Sequence, residues 1–236
     1  MQNDERRGRF KSASWYNNDK PLDISIIGLG GIGAILSILL SRLGNHNFYI
    51  YDYQTIEMLN MGGQFYQTED IGRQKNTSTA SNMLNFSGVD IVHTYEKFDK
   101  NSMVTPYMFS PLDNMTIRKL AFEKWYEEYK ESNESMFTDC RMSIESCEVY
   151  FVTPDKVEEY RATLFEDGTI PEQLCSLKAT SHCGALCASL AVAGFTNYLS
   201  NLYTDTDLRE VPFKIRVDLP FMSFKLPVYE TSTIII

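Results

Sequence analysis

The chain contains no CxxC pair: its five cysteines, Cys140, Cys147, Cys175, Cys183 and Cys187, are odd in number and irregularly spaced. That excludes a disulfide framework and the usual zinc knuckle, so we expect reduced thiols and no structural zinc. Histidine is scarce, and His46, His93 and His182 are too dispersed to suggest a metal site. Basic residues are outnumbered, 22 Lys and Arg against 31 Asp and Glu, giving a net charge of −9 and a pI near 4.9. No nucleic-acid partner is expected, because gripping a phosphate backbone needs a net basic face. Met1 to Lys20 is polar, without the apolar stretch of a secretory signal, and the longest interior apolar run, around Ile35 to Leu40, is far short of a membrane span. We expect a cytosolic protein with no membrane attachment. Repeats and low-complexity tracts are missing and the prolines and glycines are scattered, which predicts one continuous domain over 21–236 behind a flexible arm over 1–20.

What is present suits a packed core, with 43% apolar and 13% aromatic residues. Asp23-Ile-Ser-Ile-Ile27 reads as a strand running into a glycine cluster. From Gly31 to Leu43 the apolar residues Ile32, Ile35, Leu36, Leu39, Leu40 and Leu43 recur at helical spacing. Gly44-Asn-His offers left-handed-tolerant residues to end that helix, and Asn47 to Tyr51 reads as a second strand stopping at Asp52. Further strands are predicted at Gly88 to Thr94 and Cys147 to Val152, and helices at Asn114 to Lys130 and Gly184 to Leu202. A final strand pair falls over Val211 to Val228, broken at Pro220. The alternation predicts an α/β fold: a doubly wound, mostly parallel, Rossmann-like sheet with a C-terminal antiparallel extension.

Gly28-Leu-Gly30-Gly31-Ile-Gly33 places a tight turn between a strand and a helix, so that backbone amides and the helix dipole face any phosphate brought there. Asp52, ending the next strand, is where a carboxylate accepts ribose hydroxyls. These features suit NAD and ATP equally.

The following residues separate the two. They include Glu57, Asn60 and Gln64 in one segment, Gly72-Arg-Gln-Lys75 at a polar helix start, and Ser110-Pro-Leu-Asp113-Asn114-Met-Thr-Ile-Arg118. In this order they resemble the ThiF/MoeB/HesA adenylyltransferases, which activate ubiquitin-like and sulfur-carrier proteins, over about residues 22 to 120. The stretches at Asp139-Cys-Arg141-Met, Tyr160 to Phe165 and Cys175 to Thr180 are similar to stand-alone ThiF-type proteins of phages and mobile elements. The resemblance implies ATP-dependent adenylylation of a carboxylate, with Gly28, Gly30, Gly31, Gly33, Asp52, Asn60, Gln64, Lys75 and Asn114 around ATP. It also implies Lys75 neutralising phosphate, Asp113 holding Mg2+, and a small β-grasp protein as acceptor.

Three departures qualify the resemblance. The arginine that family members place before the glutamine is Gly63 here, and Arg73 or Arg141 could replace it, since a guanidinium forks two phosphate oxygens. The basic cluster Arg6, Arg7 and Arg9 could serve a neighbouring subunit, which predicts a homodimer. Cys175 and Cys183 lie where some family members carry an acyl-accepting cysteine, with Lys178 and His182 near enough to lower a thiol pKa. Two other readings stay open: a catalytically silent ATP-binding or scaffold subunit, and a nicotinamide-dependent oxidoreductase.

Overall fold

The computed structural model describes residues 5–17, 20–166, 180–206 and 208–226. Eight strands form one sheet: β1 (Asp23–Ile27), β2 (Asn47–Tyr51), β3 (Val92–Tyr95), β4 (Tyr107–Ser110), β5 (Met136–Ser143), β6 (Ser146–Val152), β7 (Lys214–Asp218) and β8 (Ser223–Lys225). Their order is β3-β2-β1-β4-β5-β6-β7-β8. The first five pair in parallel and the last three antiparallel, as the sequence led us to expect.

Helices cover both faces. One face packs α1 (Gly33–Ser41), α2 (Lys75–Ser87) and α5 (Ser181–Tyr203) on Ile24, Ile26, Phe48, Ile50 and Phe109. The other packs α3 (Met115–Tyr129) and α4 (Val157–Arg161) on Ile27, Met108, Phe137 and Val152 around the buried Trp125 and Tyr160. Central strands buried on both sides need near-continuous apolar runs, which β1 and β4 supply. By length and hydropathy α5 could cross a membrane, but it lies in the core with Cys187, Ala188, Ala191 and Phe195 fully buried.

The elements differ from the sequence reading in several places. Helix α1 ends at Ser41, because Arg42 and Leu43 tighten onto the carbonyls three residues back. Gly88 closes α2 with a φ of 71°, and β3 begins only at Val92. Neither β4 nor the full span of α2 was legible: β4 is a short run and α2 is rich in Asn, Ser and Thr. Chain reversal between β7 and β8 falls at Leu219–Phe221, around Pro220.

The expectation of a flexible arm is corrected for residues 5–17. Arg7 is buried and donates to Asn45 Oδ1 at 2.8 Å and to the Ser41 carbonyl at 3.1 Å, neutralising the C-terminal end of α1. Ser14 bonds Ser200 on α5 at 2.7 Å, and Trp15 packs on the core. Arg7 is therefore committed within its own chain and unavailable to a neighbouring subunit, while Arg9 is exposed.

Candidate functional site

Strand order reverses between β1 and β4, and in open α/β sheets the crevice at such a point, beyond the strands' carboxyl ends, is where ligands bind. Here it is walled by the glycine turn after β1 and by the Pro111–Asn114 turn after β4. Gly28 has a φ of 97°, which side-chain-bearing residues rarely adopt. A Cβ there would also meet the Pro111 carbonyl and Leu112 at 3.2 Å. A Cβ on Gly33 would stand 1.9 Å from the Gly28 carbonyl oxygen, so the turn closes onto α1 only with glycine. A Cβ on Gly30 would meet nothing, leaving the mouth of the turn open. Gly31 supports the opposite side, where α5 presses on it: a Cβ on Gly184 would reach its carbonyl oxygen at 2.4 Å.

Hydrogen bonds connect this turn to the next two segments. Asp52 Oδ2 accepts from the Leu29 amide at 2.8 Å and Oδ1 from the Gln54 amide at 2.8 Å. Gln54 Oε1 accepts from Lys75 Nζ at 2.7 Å, and its carbonyl accepts the Lys75 amide at 2.9 Å. Lys75 is buried as the first residue of α2. There the helix dipole disfavours a cation unless anions are near. The Tyr66 hydroxyl donates to the Leu29 carbonyl at 2.6 Å and shares a hydrogen bond with Thr79 on α2 at 3.2 Å. Burial pushes the Tyr66 pKa up, so the phenol stays protonated.

Asn60 Oδ1 accepts from the Glu57 amide at 2.9 Å. Gln64 Oε1 is buried without a hydrogen-bond partner among the described residues, an acceptor awaiting a donor. Asn114 caps α3 by accepting from the Ile117 amide at 2.8 Å, and Asp113 beside it is exposed. Arg73 reaches Asp70 at 3.5 Å and is otherwise exposed. Gly28, Gly30, Gly31, Gly33, Asp52, Lys75 and Asp113 thus gather on the segments bordering one crevice.

Two other sequence candidates fall elsewhere in function. Arg141 donates from Nε to Asp139 at 2.6 Å and from both Nη atoms to Thr163, and its guanidinium lies 4.4 Å over the Tyr150 ring. A guanidinium held on every side is a structural group, not a replacement for the arginine missing at Gly63. Cys183 is fully buried, its thiol interacting with Cys147, which together with burial pushes its pKa up. A buried protonated thiol is a poor acyl acceptor, so that candidate is corrected to a core residue. Cys175 and Lys178 lie outside the described residues. Sequence reasoning missed Gln54, Tyr66, Thr79 and Gly184. Gln54 and Tyr66 stand two positions after Asp52 and Gln64, a signal only once the fold is known.

The model of the ThiF family matches residues 20–228. The chain belongs to that family. The ubiquitin-like modifier-activating enzyme 5 of Dictyostelium discoideum is 31% identical over 109 residues, 46% of this chain and 26% of that protein. Its counterpart in Oryza sativa subsp. japonica is 30% identical over 86 residues, 36% of this chain and 20% of that protein. The chain thus spans about a quarter or less of these relatives' length. Among solved structures, E. coli MccB with ATP superposes with a TM-score of 0.66 at 14% identity, covering 95% of this chain and 71% of MccB. PaaA gives 0.64 at 16% identity, covering 87% and 63%. At such identities the likeness to MccB and PaaA shows that this ThiF-family chain shares their fold.

Proposed function

We propose that this ThiF-family chain is an ATP-dependent adenylyltransferase. Its substrate would be a carboxylate, the C-terminus of a small β-grasp ubiquitin-like or sulfur-carrier protein, with pyrophosphate released. The observation that carries the reading is the joining of Leu29, Asp52, Gln54 and Lys75 in one hydrogen-bonded path from the glycine turn to a buried cation at a helix start. A dinucleotide site accounts for the turn and Asp52 but does not call for a buried lysine at the start of α2.

The residues fit ATP. The glycine turn, closed onto α1 at Gly33 and open at Gly30, offers backbone amides to a phosphate, and the partnerless Gln64 Oε1 is an acceptor suited to a ribose or amine donor. Asp52 keeps lone pairs for ribose hydroxyls beyond its two amide bonds, and Asn60 keeps its amide donors. Lys75 places an ammonium where negative charge accumulates as an acceptor carboxylate attacks the α-phosphorus and the bond to the leaving pyrophosphate breaks. Magnesium, when bound with the nucleotide, neutralises phosphate charge, and Asp113 is the residue that would hold it. Among the described residues no group of three or more metal-binding side chains is arranged for an ion. One carboxylate with phosphate and water oxygens suits Mg2+, which keeps much of its hydration.

ATP–pyrophosphate exchange, with a β-grasp protein encoded nearby as acceptor, tests the assignment. We expect exchange by the wild type and a loss of ~10²-fold or more in Lys75→Ala. Wild-type exchange by that variant would show the chemistry is elsewhere. The same assay separates a silent scaffold, which would bind ATP without exchange.

A further inference from the structure

Beneath the Asp113 turn lies a buried ionic cluster that the reaction scheme above does not use. Asp139, fully buried on β5, is in register with Ser110, the last residue of β4. Its Oδ1 accepts from Arg118 Nε at 2.7 Å, and its Oδ2 accepts from Arg141 Nε at 2.6 Å and from the Tyr160 hydroxyl at 2.9 Å. Arg118, on the first turns of α3, also donates from Nη2 to the Leu112 carbonyl and contacts Met115 Sδ through Nη1 at 3.8 Å. The turn is therefore held at Leu112 by Arg118 and at Asn114 by its cap on Ile117, and exposed Asp113 is the residue between these two fixed points.

We propose that Asp139, acting through Arg118, is a positioning residue that sets the Asp113 turn, and with it the magnesium that accompanies the nucleotide; this rests on the ATP reading above. Buried ion pairs add little net stability over apolar residues of the same shape, whereas a fully satisfied buried network fixes geometry. Arg141 and Tyr160 hold the carboxylate from the far side, so its position is determined independently of the turn it serves. Both guanidiniums are thus held by protein groups, Arg118 by Asp139 and Leu112 and Arg141 by Asp139 and Thr163.

Two variants test this, Asp139→Asn and Arg118→Lys. The second keeps a cation opposite Asp139 but loses the fork that bridges Asp139 and Leu112. Two readouts apply: amide hydrogen exchange across 112–117, and calorimetric ATP affinity measured with Mg2+ and again with EDTA. We expect exchange in that segment to speed up ~10-fold. We also expect the Mg2+-dependent gain in ATP affinity to fall ~10-fold while affinity in EDTA is unchanged. A folded variant that retains the wild-type Mg2+ gain overturns the proposal, and if Asp139→Asn does not fold, Arg118→Lys decides alone. A wild-type protein that binds no ATP under either condition overturns the ATP reading itself.

Discussion

His46 shows what a single buried side chain costs this protein as conditions change. Its ring lies against Gly44, and Nδ1 accepts the Leu22 amide at 3.2 Å. Burial, helped by the nearby Arg7 charge, lowers its pKa from 6.5 to about 4. The folded protein therefore keeps His46 neutral, while the unfolded chain takes up a proton once pH falls below about 6.5. The contribution is complete above that pH and is lost as pH falls toward 4, about 3 kcal/mol across the window. We predict that the melting temperature falls over this range in wild type and falls less steeply in His46→Asn. Parallel curves for the two would show that His46 is not the titrating group. Residues of this kind are hard to read from sequence, as are Gln54 and Tyr66, because what matters is a partner far along the chain: Tyr66 reaches Leu29. The glycines, Asp52, Lys75 and Asp113 could be put forward as candidates from the sequence because their spacing along the chain is itself the signal.

Among the elements, α5 has the largest consequence for the site. Its first turn touches the glycine turn through Gly184 and Gly31, and its buried face carries Cys183 and Cys187 against β5 and β6. We predict that Gly184→Ala, by forcing a Cβ against the Gly31 carbonyl, destabilises the fold by ~1–3 kcal/mol and weakens ATP binding. Denaturant unfolding and ATP titration check the two effects. Wild-type affinity in this variant would mean that α5 supports the core without shaping the cradle. Helix α1 was recognisable from apolar periodicity, α3 from its start after Pro111 and α5 from its run of small residues, although the ends shifted by a few residues. The extent of helix α2 escaped because its polar sequence carries little periodic signal and its place is set by tertiary contacts such as Tyr66 with Thr79. The docking of residues 5–17 escaped for a similar reason: a polar segment with one arginine cap resembles a solvated arm until its partner, the end of α1, is located.

For the whole molecule, the alternation of strands and helices was enough to give the sheet's parallel half and its antiparallel extension. It could not give the reversal of order between β1 and β4, which puts Gly28 opposite Pro111 and makes a crevice from segments far apart in sequence. Lys75 borders that crevice in a chain whose net charge is −9, while Arg118 and Arg141 are both paired with buried Asp139. Isothermal titration of the wild-type protein with ATP and Mg2+, against NAD as the competing ligand, tests the central claim most directly. Saturable ATP binding with little or no NAD binding is the predicted result; tight NAD binding without ATP binding would contradict the account.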